Sequence, residues 1–168
     1  SLAPSSATGD GILAAERVQA DIETDLESPA LWMPCSIMKQ PDGPMSVFPH
    51  ILLDRAKPGL LAVNASGRRF VNEADSYHDF VEAMLRSNTR GPERMAYLIC
   101  DRSFIRDYGI GLVHPGTRKL DPFIESGYLI QADTLRGLAE RIGADPAEFE
   151  RTVANHNRYA ETGVDEEF

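Results

Sequence analysis

Metal-binding and reactive side chains are sparse in this sequence. Cys35 and Cys100 are its two cysteines, far apart and outside any C-x-x-C pair, and the 4 histidines are scattered. A zinc site therefore has no support. Both cysteines have apolar neighbours, so they are expected to be buried, inert thiols in a reducing, cytoplasmic compartment rather than a disulfide. Excess positive charge is also missing. The 17 basic residues face 26 acidic ones, for a net charge of −9, which argues against nucleic acid and anionic lipid as partners. No apolar run approaches the roughly 18 residues of a membrane span. The opening residues lack the basic start and apolar stretch of a signal peptide. G-x-G-x-x-G, the Walker motif and G-x-S-x-G are all absent, so no self-contained phosphate cradle or nucleophile elbow is encoded.

What is present suits one globular domain: 42% hydrophobic and 26% charged residues over 168 positions. Ile12, Ala15, Val18 and Ile22 recur at helical spacing after Gly9-Asp10-Gly11. Pro29, Pro34, Pro41, Pro44 and Pro49 restrict residues 26 to 50 to short strands and loops. Residues 60 to 64 read as a strand, Asn64-Ala65-Ser66-Gly67 as a turn, and Arg68-Arg69-Phe70-Val71 as the return strand of a hairpin. A helix is expected near Ser76 with Phe80, Val81, Met84 and Leu85 as its apolar stripe.

Residues 95 to 100 read as a buried strand, followed by a short helix from Asp101 to Gly109. Residues 110 to 127 read as loop, and residues 128 to 131 as a short edge strand. The spacing predicts a helix capped by Asp133, burying Leu135, Leu138, Ala139 and Ile142 and stopping at Gly143. A last helix opens with Asp145-Pro146-Ala147-Glu148 and buries Phe149, Val153, His156 and Tyr159. Strands and helices without a βαβ rhythm imply an α+β fold, a small sheet flanked by four or five helices.

Three segments carry a resemblance: Ala7-Thr8-Gly9-Asp10-Gly11-Ile12, the stretch from Lys57 to Glu73 with its "VN…GRRFVNE", and the stretch from Asn155 to Phe168. In order and spacing they resemble the flavoprotein family of fumarate reductase, succinate dehydrogenase and 3-ketosteroid dehydrogenase. In that family a Rossmann-like domain binds FAD, and an inserted domain closes over the flavin. The resemblance implies that residues 1 to 24 are a remnant of the FAD-binding domain with its hinge. It implies that residues 25 to 168 are the substrate-capping domain, excised from a longer protein. The partner would be the chain's own FAD-binding domain. FAD would belong to the full-length protein and not be held by this piece. Thr8, Gly9, Asp10 and Gly11 would lie against the flavin, although an ordinary helix start accounts for them equally.

The branch follows from particular positions. Fumarate reductases carry a proton relay whose three positions fall here on Leu53, Ala56 and Tyr77. An aliphatic side chain passes no proton, and neither Ala nor Tyr supplies the fixed cation that a dicarboxylate needs. A tyrosine at position 77 resembles the 3-ketosteroid dehydrogenase branch, in which it removes a proton beside the ketone. A phenol of pKa near 10 needs help for this, from another hydroxyl or from a helix N-terminus. The bland alternative is a helix-start aromatic. Glu73, His78, Trp32 and Leu53 are candidate substrate-binding residues. Against that, Glu73 could pair with Arg68 or Arg69, His78 could be solvated, and Trp32 and Leu53 could be ordinary core. The reading is a flavoenzyme that dehydrogenates a CH–CH bond next to a ketone in a small apolar substrate such as a steroid. The rivals are a fumarate-reductase-like flavoprotein with another substrate and a stand-alone binding domain without flavin.

Overall fold

The computed structural model describes residues 4–28, 30–39, 43–51, 54–87 and 95–168. The chain forms two units, Ser1–Leu31 and Trp32–Phe168. In the first, α1 (Asp10–Arg17) starts at Gly9 in the left-handed region and buries none of its residues. It is shorter than the spacing predicts. Gln19 turns left-handed at φ 61°, and the Ala20 N–H bonds back to Ala15, so Val18 and Ile22 fall outside the helix.

The second unit is α+β, with two small antiparallel sheets and helices. Strands β1 (Cys35–Met38) and β2 (Ser46–Pro49) pair as a hairpin, Cys35 opposite Pro49 and Met38 opposite Ser46. Strand β3 (Leu60–Asn64) pairs with β4 (Ala96–Cys100), Leu60 opposite Cys100 and Asn64 opposite Ala96. Every residue of β3 is buried because both faces are covered. Leu61 and Val63 pack with Ala139, Ile142 and Phe149 of α5 (Leu135–Ile142) and α6 (Pro146–Thr162). Ala62 packs with Val71 and with Phe80 of α2 (Tyr77–Ser87). Leu60 packs with Phe104 of α3 (Arg102–Tyr108) and with Ile110 and Val113. Each buried Leu, Val, Ile or Phe among them contributes about 1.5–3 kcal/mol of burial.

The expected hairpin is half right. Its turn forms, with Gly67 at φ 77° and seated against Phe149 and Ala144. The return segment makes one bridge, Val63 to Arg69, and then leaves the strand. The reason is chemical. The Ala62 N–H, which a third strand would have taken, donates instead to a Glu73 carboxylate oxygen at 2.9 Å.

Other boundaries shift for local reasons. Thr134, not Asp133, caps α5, accepting the Gly137 N–H. Residues 121 to 125, expected as loop, form α4 (Asp121–Glu125) with Pro122 in its first turn. Residues 128 to 131 form no strand, since the Leu129 N–H bonds to Phe123 O. Strand β4 is half-buried rather than buried. In α6 the buried positions are Phe149, Thr152 and Tyr159, while Val153 and His156 are half-buried. Both cysteines are free, but Cys35 is exposed on β1 and Cys100 is half-buried, so the expectation of two buried thiols fails for the first and holds only in part for the second. Burial pushes the Cys100 thiol up to about 12, helped by the charges of Asp101 and Asp54. Among the described residues no helix is long and apolar enough to cross a membrane.

Candidate active site

The segment entering α2 is built by side chains. The Asn72 side chain accepts the Ala74 N–H at 3.0 Å, and its carbonyl accepts the Asp75 N–H. Ser76 caps the helix, accepting the Asp79 N–H at 3.2 Å and donating to the Asp79 carboxylate at 2.7 Å. Tyr77 is the first helical residue and half-buried. That places its backbone in the first turn of the helix. His78 Nδ1 accepts the Trp32 N–H at 3.1 Å, and its Nε2 lies 3.5 Å from Glu82. The structure thus brings Tyr77, His78 and Trp32 to one helix end. Leu53 lies outside the described residues.

Glu73 faces inward. It is buried, and its carboxylate takes the Ala62 N–H and a paired contact from Arg69, with Nη2 at 2.7 Å and Nε at 3.0 Å. Arg69 Nη1 reaches Asp165 at 2.6 Å, a contact close enough for an ion pair but poorly directed for a hydrogen bond. The guanidinium also stacks on Phe168 at 5.0 Å. Burial works against the Arg69 charge, but Glu73 and Asp165 outweigh it and hold the guanidinium above its usual range.

Sequence reasoning missed a buried polar network under this segment. Arg55 is 2% exposed. Its guanidinium donates to four backbone carbonyls: His50 at 2.7 Å, Glu73 at 2.9 Å, and Ile51 and Asp75 at 3.1 Å each. It lies 4.6 Å from the Phe80 ring centre. Asp54 beside it accepts from Arg55 N and Gly111 N and contacts His50 Nδ1 at 2.6 Å. His50 Nε2 continues to Ser36 Oγ at 2.8 Å, and that oxygen to the Tyr128 hydroxyl at 2.5 Å. A Cβ at Gly111 would collide with that hydroxyl. Burial alone would raise the Asp54 carboxyl, but His50 and the Gly111 and Arg55 N–H groups outweigh it and lower it. The available signal was two adjacent charges, Asp54-Arg55, inside an otherwise apolar stretch.

The first unit holds Thr8, Gly9, Asp10 and Gly11, all exposed. Gly9 has φ 86°, and a Cβ on Gly9 or Gly11 would meet nothing within 4 Å. Bare backbone at a helix start can approach a planar ring edge closely. The Asp10 carboxylate opposes a phosphate there but suits a hydroxyl or ring N–H donor. Such a helix start would suit the edge of a planar ring bearing a donor better than a pyrophosphate. Among the described residues no cluster of His, Cys, Asp or Glu could hold a metal ion.

The chain is 38% identical over 147 residues to 4-oxocyclohex-2-ene-1-carboxylate 5-dehydrogenase of Sinomonas cyclohexanicum, covering 88% of this chain and 25% of that protein. It is 35% identical to 3-oxosteroid 1-dehydrogenase of Mycolicibacterium smegmatis, covering 96% and 28%. Among solved structures, 3-ketosteroid delta1-dehydrogenase from Sterolibacterium denitrificans in complex with 1,4-androstadiene-3,17-dione matches with a TM-score of 0.71 at 32% identity, covering 98% and 29%. The open conformation of a flavocytochrome c3 fumarate reductase shares the fold, with a TM-score of 0.56 at 24% identity. The chain spans about a quarter of the length of these two dehydrogenases. Residues 1–168 match the "FAD binding domain" family throughout, and the chain belongs to that family.

Proposed function

We propose that this chain is part of an FAD-dependent dehydrogenase that oxidises a CH–CH bond next to a ring ketone, and that residues 25 to 168 form its substrate-capping domain. The absence of any G-x-G-x-x-G supports a cover rather than a phosphate-binding domain. FAD, when bound, would supply the hydride acceptor, and Thr8, Gly9, Asp10 and Gly11 would help hold it. Tyr77 takes the proton from the carbon beside the ketone. The carrying observation is that Tyr77 heads α2 on a capped and doubly anchored turn. His78 and Trp32 line the substrate side. Glu73 serves the site through Arg69 and β3.

The substrate is a flat, apolar cyclic ketone, a steroid first. Two relatives support a ring ketone, one named for a single carboxylated oxo-ring and one for an oxosteroid. Dicarboxylate reduction is disfavoured because Ala56 and Tyr77 supply no cation. In the full-length enzyme, Tyr77→Phe should lower turnover by about 10²–10⁴-fold, the usual weight of a positioned acid or base, with flavin content unchanged. Near-normal turnover would overturn the assignment. Flavin bleaching with a panel of steroids and single-ring ketones then assigns the ring size.

A further inference from the structure

We infer that Arg55 is a positioning residue for the base, acting on Tyr77 through the main chain. This rests on the reading of Tyr77 as the base. Arg55 is a buried cation with no carboxylate in ion-pair contact among the described residues. Asp54, Asp75 and Glu73 act on it only as surrounding charges. Among the described residues the hydrogen bonds of its guanidinium all end on carbonyl oxygens, and these belong to two separate stretches. His50 and Ile51 follow β2, while Glu73 and Asp75 immediately precede α2. The ring of Phe80, one turn into α2, lies under the guanidinium. One rigid planar group therefore fixes both the approach to α2 and its first turn.

Burying a charge is costly, and a cross-link between loops could be made by neutral groups. What guanidinium alone offers is a planar fork of five donors, enough to hold several carbonyls at once in fixed directions. Asp75 O, two residues before Tyr77, is one of the held atoms. A shift of about 1 Å at a reacting group can cost 10²-fold in rate. Lysine keeps the charge but not the fork. Glutamine removes the buried charge and keeps a single donor group.

The test uses the flavin-loaded full-length enzyme. Arg55→Lys should lower kcat about 10–100-fold with KM changed less than about threefold, and flavin content should hold. Arg55→Gln, which carries no buried charge and so guards against a lysine variant that fails to fold, should do the same. The double variant Arg55→Lys/Tyr77→Phe should be no slower than Tyr77→Phe alone, because the two act through one group. If Tyr77→Phe is slow while the folded Arg55 variants keep normal kcat, the inference is wrong and the Tyr77 reading stands. If the double variant multiplies the two losses, Arg55 acts elsewhere and the inference is again overturned. If Tyr77→Phe turns over normally, the Tyr77 reading fails and takes this inference with it. Loss confined to thermal midpoint and flavin content marks Arg55 as structural only and also overturns it.

Discussion

Helices α1 and α2 look alike in sequence, each a short amphipathic stretch with an acidic first turn and a basic last one. In the fold they differ sharply. Helix α2 buries Phe80 and Val81 and has its entry fixed by Asn72, Ser76, Glu73 and Arg55. Helix α1 buries nothing, leaving Ile12 56% and Leu13 53% exposed. Amphipathic spacing therefore announces a helix but not what covers it. The difference lies in polar side chains from outside the helix. Buried donors and acceptors tie the approach to α2 to β3 and to the segment after β2 with directional bonds, and among the described residues nothing of that kind is seen on α1.

The largest expected effect comes from breaking the tie that holds the α2 approach to β3. Glu73→Gln removes the charge facing a nearly buried Arg69 and should cost about 3 kcal/mol, the range for a buried pair that loses one partner. Denaturant midpoints measure it, and a cost below about 1 kcal/mol would reduce Glu73 to a surface-like pair.

Asp54 offers a smaller and pH-dependent test. Its carboxyl is lowered in the fold, so it adds stability above the unfolded value of about 3.9, and that stability is lost as pH falls through the folded value. Asp54→Asn should cost about 2 kcal/mol at neutral pH and flatten the acid limb of the stability profile. An unchanged acid limb would show that His50 and the two N–H groups do not govern Asp54.

The smallest effect sharpens the contrast from the other side. Ile12→Ser should change the stability of this chain by less than about 0.5 kcal/mol, as exposed sites do. A loss above 1 kcal/mol would mean that α1 is packed after all.

Much of this was legible in the chain itself. Helix ends announced themselves through Asp145, Gly143 and Gly109, whose capping chemistry is local. The α2 stripe and the Asn64–Gly67 turn were equally local. The partner of β3 was not. Residues 68 to 71 are adjacent and strand-like, yet β4, more than thirty residues away, takes the pairing. That residues 68 to 71 do not add a third strand on the opposite edge goes with Glu73 folding back onto Ala62, a contact between side chain and main chain that no period reveals. Arg55 was illegible for the same reason. Its partners are carbonyl oxygens, which every residue carries, so no side-chain pattern marks them.

The sequence by itself determined the α+β class, most helix ends and the chemistry available at positions 8 to 11 and 73 to 78, because capping, turn formation and residue type are short-range properties. Only the tertiary structure decided that Glu73 turns inward to Arg69, that Cys35 lies exposed, and that a cluster around Arg55 and Asp54 underlies the Tyr77 helix. Burial and hydrogen-bond satisfaction are settled by what arrives from distant parts of the chain, and few-residue patterns do not record those arrivals.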